Sequence, residues 1–323
     1  MTQIVCLDRA PADMGDMDWS GVRQHGELTL HHTTEPAQII ERAKDADIVI
    51  TNKVAFDRRT IEQLPKLKMI SILATGYNHI DLDAAVEHGI TVCNLPGYST
   101  AATAQVSIAL LLELTHGVGN HSNAIHTGEW SRQPTFAYWR QPLVELDGKT
   151  MVIFGYGAIG SRVGAIAEAL GMHVIAAAVP GRPASSDRMP MDEALSKADV
   201  VSLHCPLTPK TQHMIDAHAL SKMKQGAFLI NVGRGPLIDD DAVRAALDSG
   251  HLGGFAADVL SQEPPPPNHP LIGAPRTILT PHYGWAASAA RQRAVRWTAE
   301  SIGAFLNGSP VRVVAQPNAG SEA

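Results

Sequence analysis

Hydrophobic and polar positions alternate along the first hundred residues in short apolar runs separated by helical patterns. Residues 4–7, 47–51, 68–74 and 89–94 are apolar runs typical of buried strands, and residues 36–44 repeat apolar positions at helical spacing. Strands separated by helices pair in parallel. The pattern therefore predicts a parallel α/β sheet in this part of the chain.

The same alternation returns after residue 150. Strands are predicted at 151–154, 172–179, 199–205, 228–232, 254–259 and 277–280, with helices such as 191–197 and 239–249 between them. Long helical segments at 101–114 and 286–305 connect the two halves. We therefore predict two domains, one formed by residues 1–98 plus 288–323 and one by residues 99–287. The polar residues beyond Pro310 predict a frayed tail.

A glycine-rich turn follows the strand at 151–154. Gly155 permits a tight turn, Gly157 lets a pyrophosphate approach the backbone, and Gly160 lets the following helix pack closely. The positive helix N-terminus beyond the turn favours an anion. A purely structural turn is the alternative, but strand, turn, helix and strand in this order favour dinucleotide binding.

Composition narrows the class of function. The chain has 323 residues, 45% hydrophobic and 18% charged, with a net charge of −6. These values are typical of a globular protein of two domains and argue against a nucleic-acid partner. Cys6, Cys93 and Cys205 form no disulfide or zinc pattern, so we expect a reducing, cytoplasmic location. The most apolar run is too short to span a membrane.

Polar residues follow three predicted strands of the second domain: Arg234, Glu263 and His282. In an open parallel sheet such positions lie at the carboxyl ends of the strands, where ligands bind. Taken singly, each has an ordinary explanation as a surface ion pair, a solvated charge or a turn histidine. In the first domain, Asn52 and the loop Thr75-Gly76-Tyr77 also follow strands, with plain turns as the alternative.

These motifs occur in a fixed order that resembles one family. Residues 231–239, 258–264 and 280–282 follow the glycine turn as they do in the D-isomer-specific 2-hydroxyacid dehydrogenases. Residues 74–81 and 281–285 are most similar to the glycerate dehydrogenase and hydroxypyruvate reductase branch. The resemblance covers nearly the whole chain.

The resemblance implies two doubly wound parallel-sheet domains joined by two long helices: a flavodoxin-like substrate domain and a Rossmann cofactor domain, with the active site in their cleft. It implies reduction of a small 2-keto acid, with hydroxypyruvate or glyoxylate favoured, to the D-2-hydroxy acid with NAD(P)H. A homodimer is also implied. The helix at 101–114 and the aromatic segment from Trp130 to Trp139 are the candidate interface.

The resemblance also assigns roles to residues. Arg234 holds the keto acid, His282 is the acid-base and Glu263 orients the histidine, because a neighbouring carboxylate favours the imidazolium form. The substrate positions are Asn52, Thr75, Gly76, Tyr77, Arg234 and His282. The cofactor positions are Gly155, Gly157, Ala158, Ile159, Gly160, Arg182, Cys205, Pro206, Thr211, Val232, Gly233, Asp258 and Gly284.

One position departs from the NAD pattern. The carboxylate expected at the end of the second strand is replaced by Ala178, and Arg182, Ser185, Ser186 and Arg188 follow. Positive charge and hydroxyl groups suit a 2′-phosphate, so NADP(H) is favoured over NAD. An exposed loop with ordinary arginines is the alternative.

Two other functions are compatible with the fold. A dinucleotide-sensing regulatory protein would bind the cofactor without turnover, and the presence of Arg234, Glu263 and His282 argues against it. A formate dehydrogenase needs no proton transfer and usually pairs the histidine with glutamine. Glu263 argues against that enzyme.

Overall fold

The computed structural model of the chain describes residues 1–10, 12–182 and 185–317. Two compact units are present. Unit 1 comprises Met1–Ser99 and Ala286–Ala323, and unit 2 comprises Thr100–Trp285.

Strands and helices alternate through most of both units. The strands are β1 (Gln3–Cys6), β2 (Glu27–Leu30), β3 (Ile48–Thr51), β4 (Met69–Ile72), β5 (Thr91–Cys93), β6 (Thr150–Phe154), β7 (His173–Ala177), β8 (Val200–Leu203), β9 (Ala227–Asn231), β10 (Leu252–Ala257), β11 (Thr277–Leu279) and β12 (Val313–Ala315). The α-helices are α1 (Ser20–Arg23), α2 (Ile39–Ala43), α3 (Arg58–Glu62), α4 (Leu82–Glu87), α5 (Thr100–His116), α6 (Val118–His126), α7 (Ala158–Ala169), α8 (Met191–Lys197), α9 (Ala217–Lys222), α10 (Asp240–Asp248) and α11 (Ser288–Leu306).

Aspartate side chains begin several of these helices. Asp57, Asp81, Asp216 and Asp239 each stand one residue before a helix and accept a hydrogen bond from the backbone N–H three residues later. This contact satisfies one of the N–H groups that a helix start leaves without an intrahelical partner. The helix boundaries are therefore set locally by the sequence.

The sheet of unit 1 has the strand order β12-β5-β4-β3-β1-β2. Strands β1 to β5 pair in parallel, and every residue of β3 and β4 is buried. Such burial is typical of a parallel sheet with both faces covered. The order reverses between β1 and β3, which makes their carboxyl ends the switch point of this sheet.

The expectation of a frayed tail beyond Pro310 is wrong for Val313–Ala315. This segment forms β12 and pairs antiparallel with β5, with Val313 opposite Cys93. The backbone groups at the edge of β5 supply the hydrogen-bond partners, a long-range contact that local polarity did not indicate. Residues 318–323 lie outside the described part of the chain.

The sheet of unit 2 has the order β11-β10-β9-β8-β6-β7, and its pairs are parallel. Met189 adds a single parallel bridge to Ala177 beyond β7. The order reverses between β6 and β8, so the switch point lies at the glycine-rich turn. The predicted fold class, two doubly wound parallel-sheet domains, is confirmed.

Helix α5 is apolar around most of its circumference, and its buried residues include Ala104, Leu110 and Leu111. In the described residues, no single helix is long and apolar enough to cross a membrane. The bent pair α5 and α6 meets the criterion jointly, by length and composition only, with a 60° angle at the break.

Candidate active site

The three glycines of the turn after β6 meet different surroundings. A Cβ atom on Gly155, whose φ is +93°, would lie 2.4 Å from the backbone nitrogen of Cys205. A Cβ on Gly160 would lie 2.3 Å from the carbonyl oxygen of Gly155, whereas one on Gly157 would have no atom within 4 Å. Gly155 and Gly160 are therefore required by packing, and Gly157 leaves the backbone open to a ligand.

A groove of about 370 Å³ lies beside this turn. Five of the predicted cofactor residues line it: Gly155, Gly157, Arg182, Cys205 and Pro206. Ala158, Ile159 and Gly160 form the first turn of α7, which starts at the same place. An exposed backbone at a helix N-terminus fits the pyrophosphate of a dinucleotide.

Thr211 is buried beneath the loop that carries Cys205 and Pro206. Its hydroxyl donates to the carbonyl of Pro206 at 2.8 Å and accepts from the N–H of Thr208 at 2.7 Å. The structure thus places this predicted cofactor residue in a loop-stabilising position.

Positively and negatively charged side chains line the groove near Ala178. Ala178, Arg182 and Arg188 line it together with Asp187. The guanidinium of Arg188 lies 5.3 Å from the centre of the Tyr156 ring and pairs with the Asp187 carboxylate. Hydrogen bonding from the Ser185 hydroxyl, followed by the charge of Arg188, lowers the pKa of Asp187. The positive charge beside Ala178 is therefore partly neutralised.

His204 also lines the groove, and its position in the sequence predicted no role. Its Nε2 lies 2.8 Å from the Ser202 hydroxyl, and its Nδ1 is a buried atom without a hydrogen-bond partner among the described residues. Burial lowers the pKa of His204 to about 4. A histidine immediately before Cys205-Pro206, at the end of β8, was the available signal.

The structure brings Glu263 and His282 into direct contact. Oε2 of Glu263 lies 2.7 Å from Nδ1 of His282, and the N–H of Leu260 donates to Oε1 of Glu263 at 3.0 Å. About a third of the His282 side chain is exposed. The pair is thus accessible to a ligand, and Nε2 is the histidine nitrogen that does not face the carboxylate.

Asp258 holds the loop that contains His282. Its Oδ1 accepts from the Thr280 hydroxyl at 2.6 Å and from the N–H of Tyr283 at 3.0 Å, and its Oδ2 accepts from the N–H of Gly284 at 2.7 Å. Asp258 is 3% exposed. A buried carboxylate with these donors on both sides of His282 fixes the backbone of that loop, where His282 has φ +52°.

Asn231 does the same for the loop of Arg234. Its side chain donates to the Arg234 carbonyl at 2.9 Å and accepts from the N–H of Gly233 at 3.0 Å. The guanidinium of Arg234 is exposed and donates to the Gly233 carbonyl at 2.7 Å. Val232, another predicted cofactor residue, is buried beside Gly233. The Arg234 side chain is therefore on the surface of unit 2, above a rigid loop.

The predicted substrate residues of unit 1 form a separate group. The backbone N–H groups of Asn52 and Lys53 donate to the carboxylate of Asp8 at 2.7 and 2.6 Å. Desolvation by burial raises the pKa of Asp8, and these N–H bonds oppose that rise. Thr75 donates to the Leu95 carbonyl at 2.8 Å.

The other two members of this group, Gly76 and Tyr77, follow Thr75 in the loop after β4, and Tyr77 is 42% exposed. Asp8, which organises the neighbouring turn, was missed. Its only sequence signal was a carboxylate just after β1.

The fold and these loops match those of a known enzyme family. The NAD-binding domain of the D-isomer specific 2-hydroxyacid dehydrogenases matches residues 108–284. The chain belongs to the D-isomer-specific 2-hydroxyacid dehydrogenase family, so it is an enzyme with 2-hydroxyacid dehydrogenase activity and a nicotinamide dinucleotide cofactor.

Two relatives and one solved structure are similar to this chain over nearly its whole length. A hydroxypyruvate reductase from Blautia hydrogenotrophica is 42% identical over 97% of this chain and 99% of its own length. A glycerate dehydrogenase from Methylorubrum extorquens is 37% identical over 97% and 98%. The solved structure of an acyclic imino acid reductase in complex with NADPH and D-Arg has a TM-score of 0.84 at 27% identity, covering 97% of this chain and all of that one.

Proposed function

We propose that this enzyme reduces hydroxypyruvate or glyoxylate to the corresponding D-2-hydroxy acid, with NADPH preferred over NADH. The observation that carries the proposal is the contact of 2.7 Å between Glu263 and His282 beside the loop of Arg234. The similarity to a hydroxypyruvate reductase and a glycerate dehydrogenase supports this choice of substrate.

His282 is the proposed acid. Its Nδ1 faces Glu263, so Nε2 is the nitrogen that exchanges a proton with the substrate oxygen. In the reductive direction the imidazolium donates this proton to the carbonyl oxygen, and in the oxidative direction the neutral ring accepts it from the hydroxyl. The carboxylate of Glu263 stabilises the charged ring and fixes its orientation.

Arg234 is the proposed substrate-holding residue. A planar guanidinium can bind a carboxylate through two parallel hydrogen bonds and polarise the adjacent carbonyl group, which a lysine cannot reproduce. In unit 1, we propose that the loop Thr75-Gly76-Tyr77 binds the substrate carboxylate through backbone N–H groups. The N–H of Asn52 donates to Asp8, so Asn52 would contribute through its side chain.

The residues around the glycine turn are the proposed cofactor site. When bound, the nicotinamide cofactor supplies the hydride. Gly157 and the start of α7 would hold the pyrophosphate, because a Cβ at Gly157 meets only open space. Arg182 and Arg188 support a 2′-phosphate next to Ala178, whereas Asp187 favours NADH and makes it the second candidate.

We further propose a cytoplasmic homodimer. The free cysteines Cys6, Cys93 and Cys205 suit a reducing compartment. Phe136 and Trp139 are 92% and 67% exposed in the segment after α6. Large exposed aromatic side chains of this kind are typical of a subunit interface.

The proposal is tested by initial rates for a panel of 2-keto acids, each with NADH and with NADPH. We expect the highest kcat/KM with hydroxypyruvate or glyoxylate and NADPH. His282→Gln should lower kcat by about a hundredfold or more, because a positioned acid typically contributes that much. Arg234→Ala should raise the keto-acid KM and lower kcat together.

Matched variants separate these roles from loss of folding. Arg182→Ala should reduce the preference for NADPH, and Arg162→Ala, an exposed arginine of α7, should not. Absence of turnover with every keto acid would contradict the substrate assignment, and an unchanged rate in His282→Gln would contradict the role of the histidine.

A further inference from the structure

A polar cluster lies next to Glu263 in the sequence. It consists of Ser261, which is two residues before Glu263, together with Asp240 and His269. The Ser261 hydroxyl donates to Oδ2 of Asp240, and Nε2 of His269 lies 3.2 Å from the same oxygen and 3.1 Å from the Ser261 hydroxyl. His269 is 5% exposed, whereas Ser261 is at the surface. We refer to these three residues as the Ser261 cluster.

The Ser261 cluster contains the residue types of a hydrolase triad but not its geometry. In a triad, the histidine contacts the serine through one ring nitrogen and the carboxylate through the other. Here Nε2 of His269 faces both partners, and Nδ1 accepts from the N–H of Leu271 at 3.3 Å. His269 therefore cannot act as the base for Ser261 while the carboxylate holds its other ring nitrogen, and the cluster lacks the arrangement of a triad.

The peptide between Leu260 and Ser261 also packs against Gly235. A Cβ atom on Gly235, the residue after Arg234, would lie 1.9 Å from the carbonyl carbon of Leu260 and 2.3 Å from the nitrogen of Ser261. The Leu260–Ser261 peptide thus packs directly on the loop of Arg234. Gly235 is required at this position because any side chain would displace that peptide.

The residues on the two sides of the Leu260–Ser261 peptide have different partners: Leu260 contacts the proposed acid-base pair, and Ser261 contacts Asp240. The N–H of Leu260 donates to Oε1 of Glu263, and the other oxygen of Glu263 contacts His282. The Ser261 hydroxyl connects the same backbone to Asp240 in the first turn of α10. Movement of this peptide would therefore move the carboxylate relative to the imidazole.

We propose that Ser261, Asp240 and His269 are positioning residues that hold the Leu260–Ser261 peptide, and through it Glu263, in hydrogen-bonding register with His282. This inference rests on the proposed roles of Glu263 and His282. The cluster touches neither substrate nor cofactor in this scheme. Its effect is on how often the carboxylate faces the histidine.

The test compares Ser261→Ala with wild type in the pH dependence of keto-acid reduction. We expect kcat to fall about fivefold to tenfold, the size expected for the loss of one hydrogen bond to a carboxylate. The alkaline limb of the profile should move to lower pH, because a less well placed carboxylate stabilises the imidazolium less. Ser261→Thr keeps the hydroxyl and should restore both values.

Matched measurements separate positioning from folding. Cofactor dissociation constants should stay at wild-type values in Ser261→Ala, and urea unfolding should show that the variant is fully folded under assay conditions. Ser196→Ala, which removes an exposed hydroxyl that donates to the Glu193 carbonyl in its own helix, should leave the pH profile unchanged. A pH profile that moves equally in both serine variants would overturn the inference.

The decisive measurement is a double-mutant cycle with Glu263→Gln. If Ser261 acts through Glu263, Ser261→Ala should have little further effect in the Glu263→Gln background. Equal effects in both backgrounds, or a wild-type profile in Ser261→Ala while Glu263→Gln shifts it, would overturn the positioning role alone. A wild-type profile in Glu263→Gln would instead contradict the proposed function of Glu263 and remove the basis of the inference.

Discussion

Both sheets of this protein reverse their strand order beside their first strand, β1 in unit 1 and β6 in unit 2. The turns that follow these two strands differ in whether their surroundings leave backbone N–H groups open to a ligand. In unit 2 the turn after β6 is built from glycines, and Gly157 leaves its backbone open beside a groove. In unit 1 the turn after β1 carries Asp8, whose carboxylate accepts hydrogen bonds from the backbone N–H groups of Asn52, Lys53 and Val54. One switch point can receive an anion from outside, and the other contains its own.

This difference shows that strand order alone does not create a ligand site. Backbone N–H groups at the carboxyl ends of parallel strands attract negative charge in both units. An internal carboxylate satisfies those groups in unit 1, whereas glycine leaves them accessible in unit 2. The chemistry of each switch point is therefore decided by one or two side chains.

Substitutions in the glycine turn should separate packing from ligand binding. Gly155→Ala should destabilise the protein by roughly 4 kcal/mol, because it adds a Cβ at positive φ against the backbone of Cys205. Gly157→Ala should leave the urea unfolding midpoint unchanged and weaken NADPH and NADH binding about tenfold or more. Fluorescence titration of Gly157→Ala with wild-type affinity would show that no ligand approaches the backbone there.

Removing the internal carboxylate should affect unit 1 differently. Asp8→Ala leaves the N–H groups of residues 52–54 without their acceptor, and we expect a loss of about 3 kcal/mol in the free energy of unfolding. Asp8→Asn keeps one acceptor oxygen and should lose about half as much. Neither substitution should change the cofactor dissociation constant. A wild-type stability of Asp8→Ala in urea unfolding would contradict this role.

Acid should destabilise each unit through one histidine whose pKa is lowered in the folded protein. Burial lowers the pKa of His204 from 6.5 to about 4, so the unfolded state binds a proton below pH 6.5 while the folded state does not. Stability is therefore complete above pH 6.5 and falls as the pH drops towards 4, by about 2 kcal/mol at pH 5. His204→Gln cannot titrate and should lose less stability than wild type between pH 7 and pH 5.

His79 is the matching residue in unit 1. Burial and, to a smaller extent, the charge of Lys53 lower its pKa to about 4. Because the pKa of both histidines falls to about 4, His79→Gln should reduce the acid sensitivity by about as much as His204→Gln does. Urea unfolding of the cofactor-free variants at both pH values compares the two histidines, and a wild-type acid sensitivity in either variant would contradict the lowered pKa of that histidine.

Much of the fold could be predicted because its signals are local. Helix α8 has the predicted bounds, and β6 and β9 lie within a residue of theirs, since apolar runs and helical spacing are properties of neighbouring residues. Strand β12 was missed because its pairing with β5 joins residues far apart in the chain. The same limit applied to Asp8, whose hydrogen bonds reach residues 44 to 46 positions away.

The sequence by itself determined the class of this protein: two parallel α/β sheets, a glycine turn at a strand end, and Arg234, Glu263 and His282 after later strands. Only the tertiary structure decided which of these side chains meet. The contact between Glu263 and His282 joins residues 19 positions apart on different loops, and Asp258 and the Ser261 cluster fix those loops. Position after a strand is encoded locally, whereas the partner of a side chain depends on how separate loops pack together.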